Sequence, residues 1–431
     1  MNLSKYPRPK GDTSIGFRLP PDQYERLGTD HWLSILKTTG ASWAVLPCQH
    51  PRSVPAALLM DLAGRDIETV VQVIVTPVAG IETNLLRNLL ARYRDCGVHY
   101  ISFFDRPNCV SQWTLAEWRK PQLVRRFIDI LLPCVERASE LGLFPVLSPL
   151  EPGGDYWDTA FLAGVLQDIR ERGKAAYFDR LAVGIYNHAY NRPLSWGQGG
   201  RARWKDCLPY NTPSGSEDQI GFYLFQWYEE IIREELGYSL PLISFASGAG
   251  IAPNGWEDAS FSPLEGRTAA QRNQEAVNLL MEGALQDSLM NLAFPIGGVM
   301  DDASASTVKA LRELPRHPRY SSWNKPEEGL KPAFPKAIHH YLLLTAEEAG
   351  QAWPEKYVRR FHPTCGFSLE EAMQAEYVTI VGGSLGISPQ EERKVRASGC
   401  KVERVVGKDM RETRKILDSL ADEGKRFLTL G

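Results

Sequence analysis

The chain has 431 residues, of which 43% are apolar and 23% charged, with 49 Lys and Arg against 52 Asp and Glu. A net charge of −3 leaves no basic footprint for phosphate binding, which excludes nucleic acid as the main partner. No run reaches the ~18 consecutive apolar residues of a spanning helix, so membrane insertion is excluded as well.

From Ser14 to about Ala303, short apolar runs alternate with longer amphipathic ones. Strands are expected at Ile15–Leu19, Trp43–Leu46, Thr69–Thr76, His99–Asp105, Phe144–Leu150, Leu181–His188, Pro241–Ser247 and Leu289–Ile296. Helical spacing falls between them, over Asp30–Thr39, Ala56–Ala63, Glu82–Asp95, Gln122–Leu141, Trp157–Arg172, Glu217–Leu236 and Ala269–Gln286. A last helix, near Thr307–Leu314 or Ala333–Leu344, would close the series. Strands apolar on both faces are what parallel strands covered by helices require. Eight such units predict an α/β fold, a (β/α)8 TIM barrel, which takes roughly 250 residues before insertions. The competitor is a doubly wound open sheet. It would carry a Gly-rich turn after the first strand, where this chain has Leu19-Pro20-Pro21.

The barrel domain is expected over residues 1–350 and a linker over 351–375. A small β-α-β-α unit follows over 376–431, with strands at Tyr377–Val381 and Val402–Val406 and helices at Pro389–Ser398 and Arg411–Glu423. The seven cysteines are dispersed without a Cys-x-x-Cys pair, which reads as free thiols with no zinc site. No cofactor is expected. The first ten residues carry no apolar core of a secretory signal, so a cytoplasmic location is the default.

In a (β/α)8 barrel the working face lies at the C-terminal ends of the strands. Six of the eleven tryptophans, Trp113, Trp118, Trp157, Trp196, Trp204 and Trp256, fall in loops expected there. One tryptophan in a long loop usually packs that loop. Several together suggest stacking surfaces for sugar rings.

The segment Ile101-Ser-Phe-Phe-Asp-Arg-Pro-Asn108 reads as a buried strand ending in a polar corner. It resembles the Asn-Glu-Pro-Asn corner of clan A glycoside hydrolases, in which the Glu is the general acid/base. Ser148-Pro-Leu-Glu-Pro-Gly-Gly-Asp155 agrees with that frame, and Gly184-Ile-Tyr-Asn-His-Ala-Tyr-Asn-Arg-Pro-Leu194 is similar to a His-Asn-Tyr-type corner at the sixth strand. The resemblance covers most of Thr13–Ile296 and is nearest to family 39-like barrels. It implies two carboxyl groups about 5–5.5 Å apart, at the ends of the fourth and seventh strands. Arg106 stands at the first position, and Ala246 or Ser247 at the second. Arginine stays protonated at neutral pH and cannot serve as the acid. The inherited double displacement is therefore expected to be absent.

Fallback catalytic candidates are Asp105, Glu151, Asp155 and His188, with Glu257, Asp258, Asp301 and Asp302 as further loop carboxylates. Expected substrate-binding residues are Arg106, Asn108, Trp113, Tyr156, Trp157, Tyr186, Asn187, His188, Trp196, Trp204 and Trp256. Near the C-terminus, Thr379-Ile-Val-Gly-Gly-Ser384 and Val402–Thr413 look like one copy of the type 2 cell-wall-binding repeat. Arg404, Gly407, Asp409, Glu412 and Thr413 match its recurrent frame. A small flavodoxin-like half-domain, or a contact for self-association, is the competing reading. Three functions result: a catalytically degenerate barrel that binds a cell-wall or surface polysaccharide, a hydrolase using non-standard carboxylates, and a structural or receptor-binding part of a cell-surface or phage-like particle.

Overall fold

The computed structural model describes residues 3–21, 23–24, 28–249, 257–264, 266–297, 302–314, 318–319, 338–345, 354–361 and 363–425. The eight expected strands form as β1 (Ile15–Arg18), β2 (Trp43–Gln49), β3 (Glu68–Ile74), β4 (Tyr100–Phe103), β5 (Phe144–Leu147), β6 (Ala182–His188), β7 (Leu242–Gly248) and β8 (Leu289–Pro295). Each pairs in parallel with the next, and β8 returns to β1. That closure excludes the open doubly wound sheet.

Closure requires residues of both faces to be apolar. Trp43, Val45, Val70, Tyr100, Val146 and Ala182 fill the interior. Their alternates Ala44, Leu46, Val71, Ile101 and Val183 pack toward the helices. Interior aromatics need small neighbours. A Cβ at Gly16 would stand 2.8 Å from Trp43 Cβ, and one at Gly184 would stand 2.8 Å from the Phe245 ring.

The N-terminal end of the barrel is stitched by a polar hub. Asp12 Oδ1 accepts from Ser14 N at 2.7 Å, Ser42 Oγ at 3.0 Å and Trp43 Nε1 at 2.8 Å. Arg8 pairs with its other oxygen at 3.4 Å. Tyr100 Oη donates to Pro7 O and Tyr6 Oη to Leu181 O, so the N-terminal segment is bonded to the interior.

The helices follow the sequence reading with two refinements. The one expected from Glu217 begins at Leu224, because Glu217 and Asp218 spend their carboxylates on the preceding loop, accepting from Gly197 N and Trp196 Nε1. Of the two closing alternatives, the helix is Asp302–Arg312. No helix among the described residues is long and apolar enough to cross a membrane.

The chain divides into two compact units, Met1–Lys325 and Pro326–Gly431, so the boundary precedes the one expected at 350. The second unit is a four-stranded parallel sheet of β9 (Ile338–Leu343), β10 (Thr364–Gly366), β11 (Ala375–Val381) and β12 (Lys401–Val405), in the order β10-β9-β11-β12. The described part of the expected helix Ala333–Leu344 is thus a strand. Tyr341 and Leu343 pack on one face of the sheet and Leu342 and Leu344 on the other. Such a run has no polar side to reveal its period. The expected linker 351–375 supplies the helix Glu355–Phe361, β10 and the helix Leu369–Ala372.

Asp12→Ala would take the acceptor from two buried donors, Ser14 N and Trp43 Nε1, and the carboxylate from Arg8. It should lower stability in urea unfolding by roughly 3 kcal/mol or more, with Asp12→Asn costing less.

Candidate functional site at the barrel mouth

β4 ends at Phe103, and the next three residues leave strand geometry. Phe104 has φ 65° and Arg106 φ 44°, both left-handed and both without glycine. Two such residues around Asp105 cost on the order of 1–3 kcal/mol each and persist only where neighbours fix them. The neighbours are on the exit of β5. Ser148 Oγ donates to Phe103 O, and Arg106 N donates to Pro149 O at 3.0 Å. Asn108 Nδ2 donates to Glu151 O at 2.8 Å and Tyr156 O at 3.0 Å, while its Oδ1 accepts from Glu151 N at 2.9 Å.

This corner overrides the alternation that would send Asp105 and Arg106 to opposite faces. The Arg106 guanidinium lies 3.6 Å from Asp105 Oδ2 and 2.8 Å from Glu151 Oε2, and stacks over the Tyr186 ring at 4.6 Å. The Nε contact with Glu151 lacks hydrogen-bond alignment, leaving that buried nitrogen without a hydrogen-bond partner. Asp105 is further held by Tyr186 Oη at 2.6 Å and Gln72 Nε2 at 3.2 Å. Arg18 at the end of β1 donates to Gln72 Oε1 at 2.9 Å, which extends the network across the mouth.

His188, the last residue of β6, stacks parallel to Tyr186 at 6.1 Å, and its buried Nδ1 has no hydrogen-bond partner. Burial, reinforced by the Arg106 and Arg18 cations, pulls its pKa down to about 3. The imidazole is therefore neutral through the physiological range. Burial also holds the Glu151 carboxyl above the usual carboxylate range, against the opposing pull of Arg106. Cys109, beside these carboxylates and partly buried, is pushed up to about 12 and is no nucleophile at neutral pH.

The structure brings together Asp105, Arg106, Glu151, Tyr186 and His188. Asn108 instead serves as the clamp between two loops, and Asp155 is an exposed acceptor for Val110 N at 2.8 Å. Trp113 is buried against Phe127 with its Nε1 on Pro107 O, so it belongs to the core. Asn187 is fully buried and bonded to Ser244 Oγ at 2.7 Å, facing away from the mouth network. Tyr156 packs edge-on against Phe161.

Trp196 is covered by Arg192 at 4.3 Å, and Arg192 itself pairs with Asp218 at 2.5 Å and Asp258 at 2.9 Å. That node ties the loops after β6 and β7 together. Trp157 and Trp204 line a cleft on the flank of the barrel. Glu257 is exposed. Trp256, Asp301 and the Asp302 side chain lie outside the described residues. At the end of β7, Ala246 and Ser247 are buried, and Ser247 Oγ donates to Ala293 O at 3.3 Å. Sequence reasoning missed Arg18 and Gln72. Arg18 could have been signalled by its place at the end of β1, and Gln72 by being a polar residue inside the apolar run of β3. Among the described residues no group of three or more His, Cys, Asp or Glu is placed to hold a metal ion.

In the second unit, the recurrent positions of the repeat-like motif have folding roles. Arg404 donates to the carbonyls of Gly382, Gly383 and Ile387, and pairs with Glu392. Glu412 N donates to Asp409 Oδ1, which caps the helix Met410–Asp422, and Lys408 N donates to Glu412 Oε2. Gly407 N donates to Thr413 Oγ1, and a Cβ at Gly407 would stand 2.6 Å from Glu412 Cβ.

No protein-family model and no curated protein sequence matches the chain. Among solved structures, it is similar to a GH128 (subgroup II) endo-β-1,3-glucanase from Pseudomonas viridiflava, with 15% identity over 70% of this chain and 98% of that one and a TM-score of 0.42. A GH128 (subgroup II) endo-β-1,3-glucanase from Sorangium cellulosum follows with 13% identity, 68% and 98% coverage, and a TM-score of 0.41. A 4-O-α-L-rhamnosyl-β-D-glucuronidase from Fusarium oxysporum has 7% identity, 72% and 71% coverage, and a TM-score of 0.39. The likeness is one of fold.

The neutral, buried His188 has a consequence for acid stability. Between its folded value near 3 and the ordinary value of about 6.5, only the unfolded chain binds the proton. Stability should therefore fall on acidification below pH ~6.5, by at most about 1.4 kcal/mol per pH unit from this group. Urea midpoints of His188→Gln against the native chain from pH 4.5 to 7 should show a shallower acid limb in the variant.

Proposed function

We propose that this is a glycoside hydrolase-like barrel that binds a carbohydrate at its mouth without cleaving it by the retaining mechanism. The observation that carries the reading is the Arg106 guanidinium, which occupies the corner where a proton donor would stand and pairs with both Asp105 and Glu151. Across the barrel, β7 ends in Ala246 and Ser247, which supply no carboxylate to hold a glycosyl intermediate. What remains suits recognition. The side chains of Arg106, Glu151 and Asp105 keep 22%, 20% and 12% exposure, which leaves donors and acceptors at the mouth for a hydroxyl-rich ligand.

A second reading is favoured by Glu151. A carboxyl held above its usual range by burial is what a general acid needs. The test therefore measures both binding and cleavage. With neutral and acidic oligosaccharides, calorimetry should detect binding while no reducing ends are released. Arg106→Gln should weaken binding at least about tenfold, the loss of one charge-assisted contact. Release of reducing ends that disappears in Glu151→Gln would establish the hydrolase instead.

A further inference from the structure

A separate cleft of about 670 Å³ lies on the flank of the barrel, within the range of ligand sites, about 300–1,000 Å³. It is lined by the helices Asp158–Glu171 and Leu224–Leu236 and by the segment Arg201–Pro209. The sequence makes the space. Ala160 and Ala163 put small side chains on one face of the first helix, opposite Trp227 and Ile231 of the second.

The aromatic lining is fixed in place. Trp227 is buried with its Nε1 on Gly197 O at 2.8 Å. Trp204 is half-buried, its Nε1 bonded to Gln198 O at 3.1 Å and one side covered by Arg203 at 4.7 Å. Trp157 packs on Tyr210 at 5.0 Å and donates its backbone N–H to the Tyr210 hydroxyl. Rigid aromatics bind at little cost in side-chain entropy.

The charges lining the cleft decide the ligand class. Three cations, Arg201, Lys205 and Arg233, face three carboxylates, Glu230, Glu234 and Glu235. Arg201 pairs with Glu234 at 2.5 Å, and Glu230 accepts from Ala202 N at 3.1 Å. An anion site would need cations in excess. A balanced rim of donors and acceptors around indole rings suits a neutral, hydroxyl-rich chain.

We propose that this cleft is a second carbohydrate site on the barrel, taking a neutral oligosaccharide against Trp204. The class of ligand rests on the carbohydrate reading of the mouth, and the experiment separates the two. Cellohexaose, laminarihexaose and an oligogalacturonide are titrated by calorimetry into the full chain and into Arg106→Gln, Trp204→Ala and Ala160→Arg. Ala160→Arg fills the cleft with a good helix former, and circular dichroism checks each variant's fold. The expected result is two classes of site for a neutral hexasaccharide. Trp204→Ala and Ala160→Arg should each weaken one class at least about tenfold and leave the class that Arg106→Gln removes. One site lost only in the cleft variants would uphold the cleft and end the mouth reading. One site lost in Arg106→Gln and untouched by the cleft variants would overturn the cleft alone. Preference of the cleft for the oligogalacturonide would overturn the neutral ligand, and no binding of any probe would overturn both readings.

Discussion

The mouth of the barrel depends on one constraint, the left-handed corner that carries Arg106 between two carboxylates. A strand that continued past Phe103 would separate Asp105 from Arg106 by its pleat. The positive φ of Phe104 and Arg106 turns both side chains into one network. That backbone is costly, and the seam to the exit of β5 offsets it, chiefly through Asn108 and its three bonds to Glu151 and Tyr156. The cation then sets its surroundings. It opposes the burial that raises the Glu151 carboxyl and, with Arg18, adds to the burial that keeps His188 uncharged. Remove the guanidinium and the carboxylates of Asp105 and Glu151 lose the cation they share.

The barrel was legible because its physics is written in period and order. Eight two-sided apolar runs separated by amphipathic ones leave little else to build, and the expected strands agree with β1–β8 to within a few residues. The corner was legible by its odd residue, since an arginine at the end of a buried strand needs partners. Which partners it takes was not legible. Gln72 comes from β3, the strand paired with β4, and Arg18 from β1 reaches across the closed barrel to Gln72 and the Tyr186 ring.

The tryptophans show the limit of reading by position. Their loops do follow the same ends of the strands, but a side chain goes where its polar edge and its area are best satisfied. Trp113 turns inward to Phe127 and bonds to Pro107 O, and Trp196 becomes a stacking partner for a buried arginine. Trp157 and Trp204 reach a flank cleft whose space comes from two alanines on a helix. In the second unit, β9 escaped notice because it is buried on both faces. The repeat-like motif was visible, and its spacing is accounted for by a turn glycine, a cap and an arginine that closes a loop.

These placements divide recognition differently from the way a cleaving barrel would. A hydrolase concentrates its carboxylates at the axis and surrounds them with stacking rings. Here the axial carboxylates are already paired with arginine, and Trp157 and Trp204 sit off the axis, beside a cleft whose carboxylates Glu230, Glu234 and Glu235 are matched by Arg201, Lys205 and Arg233. Under the proposed reading, pairing at the centre and stacking on the flank both serve to hold a ligand, while the raised Glu151 carboxyl is the feature that favours the hydrolase alternative.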